Sequence, residues 1–190
     1  MQGKHGQWYK YVYNKPMSQL KVDSIVPRGG LPSGATGGGI IQTLQATRTD
    51  FVSTTSSTFS DYMSLTITPQ SSSSKILCMF SAYECTDAGD GNTYSHYKLM
   101  RGSTHIYAGD ASGSGLSGSG GRYGRQGNFV SDHFGMTFID SPSTSSATTY
   151  KVQFRSSRGG SFRVSLGGAL RTESHDVRNP SSFILFEVSA

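Results

Sequence analysis

The sequence predicts an all-β protein, a jelly-roll-like β-sandwich head that follows an extended N-terminal arm. Three observations favour this class. Charged residues make up only 15% of the chain, so helix formers such as Glu and Lys are sparse, whereas aromatic residues, Thr and Val are plentiful. Apolar and polar residues alternate over short segments, as they do in half-buried strands. Clusters of Gly, Pro, Ser and Asp separate those segments, and a 3.6-residue period is nowhere convincing.

Residues 1–16 form the predicted arm, which is basic and aromatic. Lysines are interleaved with large rings, which belong to Trp8, Tyr9, Tyr11 and Tyr13. Aromatic side chains bury a large area at a low entropy cost and charges steer association, so we expect the arm to anchor the chain on another protein. An additional edge strand of the head is the alternative. Residues 17–38 are predicted to be a short leader and a Gly/Pro hinge, and residues 39–190 the head domain.

The head is predicted to consist of short strands joined by turns. The clearest strand is Thr148–Arg155, and the pair Gly159-Gly160 is the turn that follows it. Its alternate side chains Tyr150, Val152 and Phe154 share one face, whereas polar side chains share the other. The predicted strands are Ile40–Thr47, Tyr62–Thr68, Lys75–Cys85, Tyr94–Arg101, Ser103–Ala108, Asn128–Ile139, Thr148–Arg155, Ser161–Arg171 and Ser182–Val188. So many short strands in one domain favour a jelly roll.

Three tracts rich in Ser and Thr lie between predicted strands, at residues 53–60, 71–74 and 143–149. Small hydroxyl side chains bond to nearby backbone groups. We therefore expect these tracts to be tightly packed loops that satisfy their own polar groups.

The two cysteines, Cys78 and Cys85, lie seven residues apart in one predicted strand. Side chains at that spacing point to opposite faces of a strand, so the pair cannot form a disulfide without a bend. We expect free thiols, which suits assembly in a reducing cytoplasm.

The formal net charge of +5 permits contact with nucleic acid, lipopolysaccharide or an acidic protein. The Arg and Lys residues are scattered over predicted turns and solvent faces, which favours an ordinary solvated surface. No apolar run approaches the roughly 20 residues that cross a bilayer, and the N-terminus lacks the apolar core of a signal peptide. The sequence thus predicts a soluble chain without membrane insertion.

Motifs for cofactor, metal and catalytic chemistry are incomplete. Gly113–Gly118 matches G-x-G-x-x-G, but a dinucleotide site also needs a preceding strand and a following helix. The segment Asp87–Asn92 has cation-binding oxygens without the spacing of a calcium loop, and a hairpin through Asp90-Gly91 explains it more simply. The histidines lack the spacing of a zinc site, so we expect them to be surface or hydrogen-bonded residues. A three-fold axis that brings together copies of His96 or His133 is the alternative. There is no nucleophile elbow. We expect no enzyme activity, no cofactor and no metal.

The stretch GGRYGRQGN, residues 120–128, mixes Arg, Gly and an aromatic residue, as segments that bind single-stranded nucleic acid do. It is one short patch without a recognisable nucleic-acid fold around it. We therefore expect a basic loop that contacts protein or glycan, and not nucleic acid.

Several stretches carry a family resemblance: GGGIIQTLQATRTDF, STTSSTFSDYMSLTITPQSSSSKILCMFSAY, LMRGSTHIYAGD, SPSTSSATTYKVQFR and the terminal SSFILFEVSA. Residues 17–190 resemble the C-terminal domain of phage tail-fibre and related virion proteins, many of them from marine and cyanobacterial phages. MSQLKVDSIVPRGGLPSG is similar to their short leader, and Met17 to their usual start. The resemblance implies a virion component, commonly a homotrimer, with a jelly-roll head similar in outline to tumour-necrosis-factor and complement-C1q heads. Residues 1–16 depart from the pattern, either as a protein-specific anchor or because they precede the usual start.

The expected function is therefore a non-enzymatic virion protein, assembled in the host cytoplasm and held by other virion proteins through residues 1–38. Loops tolerate change without disturbing a sandwich, so contacts with a host-surface glycan or protein are expected on Asp87–Tyr94 and Ala108–Arg125. The candidate contact residues are Asp87, Asp90, Asn92, Tyr94, Arg122, Tyr123 and Arg125. A capsid decoration protein is the main alternative, and a free carbohydrate-binding lectin is another.

Overall fold

The computed structural model describes residues 38–87, 92–124, 129–160, 162–168 and 177–189. Over these ranges the chain forms eleven β-strands: β1 Ile40–Arg48, β2 Val52–Thr54, β3 Ser60–Ile67, β4 Lys75–Asp87, β5 Thr93–Arg101, β6 Thr104–His105, β7 Gly120–Gly124, β8 Phe129–Asp140, β9 Thr148–Ser156, β10 Arg163–Leu166 and β11 Ser181–Val188. The predicted arm with Trp8, Tyr9, Tyr11 and Tyr13 lies outside the described residues, as do nearly all of the hinge, Asp90 and Arg125.

The strands form two antiparallel sheets, so the predicted all-β sandwich is confirmed. One sheet has the order β1-β11-β4-β8, and the short strands β10 and β2 extend it beyond the end of β11. The other sheet has the order β3-β9-β5, and β5 also pairs with β6 and β7.

The strand pairs are nested around the middle of the chain. The pairs are β1 with β11, β2 with β10, β3 with β9, β4 with β8, and β5 with β7. A single long hairpin wrapped into two sheets has this connectivity, which is that of a jelly roll. The tip of the wrapped hairpin is the β5–β7 end.

The core lies between the sheets and follows the predicted alternation. Tyr150, Val152 and Phe154 are all buried on the inner face of β9. Phe80 is the centre of an aromatic cluster, with ring centroids 6.1 Å from Tyr62, 6.2 Å from Phe134 and 6.4 Å from Phe183. Aromatic pairs at such distances and tilts add to the free energy gained from burial. Because the cluster draws on both sheets, it holds the two layers together.

Most strands predicted from alternation are present, with small shifts at their ends. Two predicted strands are much shorter in the structure. The predicted Ser103–Ala108 shrinks to the two residues of β6. The predicted Ser161–Arg171 contains only the four-residue β10 in its described part. Two strands lie in segments predicted to be loops: β2, which overlaps the start of the tract 53–60, and β7, which lies within Ala108–Arg125. Three of the five β7 residues are glycine, so no side-chain alternation marks the strand.

The hydroxyl-rich tracts bond to their own backbone, as predicted. Oγ of Ser71 accepts the backbone N–H of Ser73 at 3.2 Å, and Oγ1 of Thr144 accepts that of Ser146 at 3.0 Å. The predicted turn after β9 is also present, with φ of 76° at Gly159 and 64° at Gly160. Glycine adopts these left-handed values without steric cost.

Both cysteines are free thiols on β4, as predicted, and both are buried. Burial raises the pKa of the Cys78 thiol to about 12, so the group remains protonated at neutral pH and is unreactive. In the described part of the chain, no helix is long and apolar enough to cross a membrane.

Candidate functional site

The tip of the wrapped hairpin carries the most distinctive surface of the head. The antiparallel register of β5 and β7 places Tyr94 opposite Tyr123 and His96 opposite Gly121. Ser95 and Tyr97, at the intervening positions of β5, are buried. Because side chains alternate along a strand, Tyr94, His96 and Tyr123 all project from the outer face of this sheet.

These side chains surround an open cleft of about 430 Å³, which we call the aromatic cleft. The lining residues are Tyr94, Ser95, His96, Leu116, Gly118, Gly120, Gly121, Arg122 and Tyr123. Leu116, which is 58% exposed, comes from the segment between β6 and β7 that contains the Gly113–Gly118 motif. The motif thus contributes to a surface cleft and is followed by a strand, not by the helix of a dinucleotide site.

The floor of the aromatic cleft requires glycine. A Cβ atom at Gly121 would lie 2.5 Å from the backbone oxygen of Ser95, and one at Gly120 would lie 2.7 Å from the ring of Phe134. Contacts that close force the two strands apart or displace the core ring. The absence of side chains lets β7 lie flat against its neighbours and leaves room for a ligand above.

The rim of the cleft is aromatic and accessible. Tyr94 is 47% exposed and Tyr123 is 43% exposed, and their ring centroids are 5.0 Å apart at 43°. The rings of Tyr94 and His96 are nearly parallel, 8° apart in orientation with centroids 6.3 Å apart. Exposed aromatic rings beside a concave surface are typical of recognition sites, since each offers an apolar face and a polar edge.

His96 is held as a neutral hydrogen-bond donor. Its Nδ1 accepts from Arg155, with Nε at 3.2 Å and Nη2 at 3.1 Å. Burial, and secondly the charge of Arg155, lower the pKa of His96. A neutral ring that accepts at Nδ1 carries its proton at Nε2, so His96 offers one N–H group to a ligand.

Two cations stand next to His96 and share one aromatic ring. The ring of Phe59, from the segment between β2 and β3, lies 4.4 Å from Nζ of Lys98 and 5.1 Å from the guanidinium carbon of Arg155. Arg155 also donates from Nη1 to the backbone oxygen of Ser57 at 2.7 Å. Cation–π contacts and this bond fix both positive groups on the outer face of the sheet.

A buried acid lies beneath the cleft, between the sheets. Glu84 is 1% exposed, and its Oε1 makes no hydrogen bond within the described structure. Burial raises the pKa of Glu84, although the nearby Arg122 acts in the opposite direction. Arg122 itself forms an ion pair with Asp132 at 3.3 Å and donates its backbone N–H to Oγ of Ser95 at 3.0 Å.

The raised pKa predicts how a Glu84→Gln variant responds to pH. A group whose pKa is higher in the folded state stabilises the fold at low pH, and that contribution is lost as the pH rises through the folded value. Glutamine has no such dependence, so the variant should gain stability relative to the wild-type chain as the pH rises above about 4, the usual pKa of glutamate. Urea unfolding at several pH values measures this difference. Parallel stability profiles for the two proteins would contradict it.

The structure brings together three of the residues predicted as contacts. Tyr94, Arg122 and Tyr123 line the aromatic cleft. Tyr94 lies in β5, where a strand from Tyr94 was predicted, and Arg122 and Tyr123 lie in β7, so the predicted loop Ala108–Arg125 is wrong at those two positions. Receptor contact by any of the three stays a prediction. Asp87 ends β4, and the backbone oxygen of Asn92 accepts from Arg158 at 3.1 Å. Neither of them lines the cleft.

Sequence reasoning missed His96 and Arg155 as parts of the site. The sequence predicts His96 as a surface or hydrogen-bonded histidine, with a ligand on a three-fold axis as the alternative. Its spacing of two residues from Tyr94 places both on one strand face, and this signal could have identified it. Within the described ranges, no group of three or more His, Cys, Asp or Glu side chains is arranged to hold a metal ion.

Comparison with protein-family models gives no match, and comparison with curated proteins gives no relative. Function is therefore inferred from the chemistry of the site.

Proposed function

We propose that this chain is a non-enzymatic phage virion protein, a tail fibre or receptor-binding head that recognises a glycan on the host surface. Its N-terminal arm and hinge, residues 1–38, attach the head to other virion proteins. The observation that carries the proposal is the aromatic cleft, in which two accessible tyrosine rings and a histidine N–H face a glycine floor.

The cleft suits a sugar because a sugar ring has C–H faces and a rim of hydroxyl groups. The faces of Tyr94 and Tyr123 match the C–H faces, while their hydroxyl groups and the Nε2–H of His96 match the rim. The volume of about 430 Å³ lies in the range that small ligands fill. These side chains stand on paired strands, which hold their geometry better than loops do.

The outer face of the other sheet supports assembly with further protein. Leu77 pairs with both Phe186 and Ile139, and Met79 pairs with Ile184, so five apolar side chains adjoin on this face. Met79 is 40% exposed and Ile139 is 55% exposed. Contiguous apolar surface of this kind favours protein contact, and we assign it to the homotrimer. Three heads on one fibre would raise the overall affinity for a repetitive cell surface without tight binding at each cleft.

Capsid decoration is the second candidate, and the same apolar face supports it. A decoration protein would press this face against the shell and occur in many copies over the capsid, whereas a fibre occurs in few copies at the tail. Counting copies per particle, and locating them by cryo-electron microscopy, distinguishes the two. A free lectin would have the cleft but would be absent from purified particles.

Replacing Tyr123 with alanine should lower glycan binding by roughly tenfold or more, because an aromatic contact residue often carries a large part of the binding energy. The measurement uses the full chain and an array of immobilised bacterial lipopolysaccharides and capsular polysaccharides. Tyr107→Ala is the matched control, since Tyr107 is 38% exposed and stacks on Phe138 outside the cleft. Equal binding by Tyr123→Ala and wild type, or no binding to any polysaccharide, would overturn the proposal.

A further inference from the structure

We infer that the saccharide bound at the aromatic cleft is acidic, and that its negative substituent lies at the edge formed by His96, Lys98 and Arg155. This inference rests on the proposed glycan-binding function and adds the chemical class of the ligand.

The first argument is the arrangement of positive groups. His96 and Lys98 are two residues apart on the outer face of β5, and Arg155 pairs with His96 from β9. The ring of Phe59 contacts both Lys98 and Arg155. His96 lines the cleft, and Lys98 and Arg155 lie next to it without lining the cleft themselves. Two fixed cations therefore adjoin the neutral N–H donor at this edge.

The second argument is the lack of a counterion. Among the described residues, neither Lys98 nor Arg155 forms an ion pair with a carboxylate. Asp61 is the acid described on this outer face, and it is already engaged by Lys151 at 2.9 Å and by Gln153 at 2.7 Å. The positive charge at the edge of the cleft is thus not neutralised within the sheet.

The third argument is the supply of unused donors. A guanidinium has five N–H groups, and Arg155 directs three bonds to His96 and Ser57. Lys98 has three N–H groups and makes a ring contact. A carboxylate or sulfate accepts several hydrogen bonds at once, and such bonds to charged donors are stronger than bonds between neutral groups. The hydroxyl groups of a neutral saccharide would accept such bonds without neutralising the positive charges of Lys98 and Arg155.

The test compares native polysaccharides with neutralised forms of the same polymers. The full chain is applied to the lipopolysaccharide and capsular array in native, carboxyl-reduced, desulfated and dephosphorylated forms. We expect affinity to fall roughly tenfold or more when the acidic group is removed. A fall on carboxyl reduction identifies a carboxylate, and a fall on desulfation identifies a sulfate.

Charge variants give a second readout that does not depend on polymer chemistry. Lys98→Gln should weaken binding roughly two- to fivefold and should reduce its sensitivity to salt. Lys151→Gln is the matched control, because Lys151 lies on the same sheet face but is paired with Asp61. Equal affinity for native and neutralised polymers, with binding still lost in Tyr123→Ala, would overturn the acidic ligand and leave the glycan function standing. Binding to none of the polymers would overturn both.

Discussion

Replacing Phe80 with alanine is expected to lower the free energy of unfolding by about 3–5 kcal/mol, the usual cost of removing a buried aromatic ring. Phe80 is 3% exposed and contacts rings from three other strands, so the surrounding residues cannot close the cavity easily. Phe134, one of these neighbours, also stacks on Tyr97 beneath the cleft with centroids 4.1 Å apart. Denaturant unfolding followed by circular dichroism measures the loss.

A conservative variant and a surface variant serve as controls for this prediction. Phe80→Leu retains much of the volume and should lose only roughly 1–2 kcal/mol. Leu116→Ala removes a side chain that is 58% exposed and should change stability by less than about 0.5 kcal/mol. A Phe80→Ala variant as stable as Leu116→Ala would show that the ring cluster does not hold the sheets together.

Replacing Asp140 with alanine is expected to cost about 2–4 kcal/mol. Asp140 is 7% exposed at the end of β8, and its carboxylate joins this sheet to the opposite one. It accepts from Nη1 of Arg101 at 2.8 and 2.9 Å and from the hydroxyl of Tyr150 at 2.7 Å. Its removal leaves a buried hydroxyl and a partly buried cation without their acceptor. Denaturant unfolding again gives the loss.

The variant Tyr150→Phe tests whether the Asp140 carboxylate contributes more to stability than the Tyr150 hydroxyl that donates to it. Burial, and then the bond to Asp140, raise the pKa of Tyr150, so its hydroxyl stays protonated as the donor. The phenylalanine variant loses that donor but leaves Asp140 bound to Arg101, and its expected cost is about 1 kcal/mol. Equal losses in Asp140→Ala and Tyr150→Phe would contradict the assignment of Asp140 as the link between the sheets.

Alternation made the core strands predictable. The positions of Tyr150, Val152 and Phe154 repeat with the period of a strand, and burying a large side chain at each one fixes which face points inward. The prediction failed where side chains carry no such signal. The glycines of β7 have no side chain to alternate, and β2 is only three residues long and runs into a Ser/Thr tract.

Buried acids escaped prediction for a different reason. Charged side chains are rarely buried, so a pattern of alternation assigns them to the solvent face by default. Asp140, Glu84 and Glu187 are buried all the same, and Oε1 of Glu187 accepts the backbone N–H of Gln70 at 2.7 Å. Such partners are distant in the chain, so the sequence alone does not reveal them.

Some residues of the candidate site could be predicted from the sequence, but their arrangement in space could not. The sequence predicts contacts at Tyr94, Arg122 and Tyr123 because they lie in or beside predicted loops, which tolerate change without disturbing a sandwich. These three residues come together because β5 pairs with β7 in a register that sets Tyr94 opposite Tyr123. The sequence does not show that these two segments pair, so it does not specify that register. The pairing of β5 with β9 likewise places Arg155 opposite His96.

The division of the cleft into a glycine floor and an exposed rim has an evolutionary consequence. A side chain at Gly121 would collide with the backbone of β5, so this position is fixed by the fold. Tyr94, Tyr123 and Leu116 are each more than two-fifths exposed, and substitutions at such positions rarely unfold a domain. Under the proposed receptor-binding function, successive rim mutations would change the preferred host while the sandwich beneath is inherited intact.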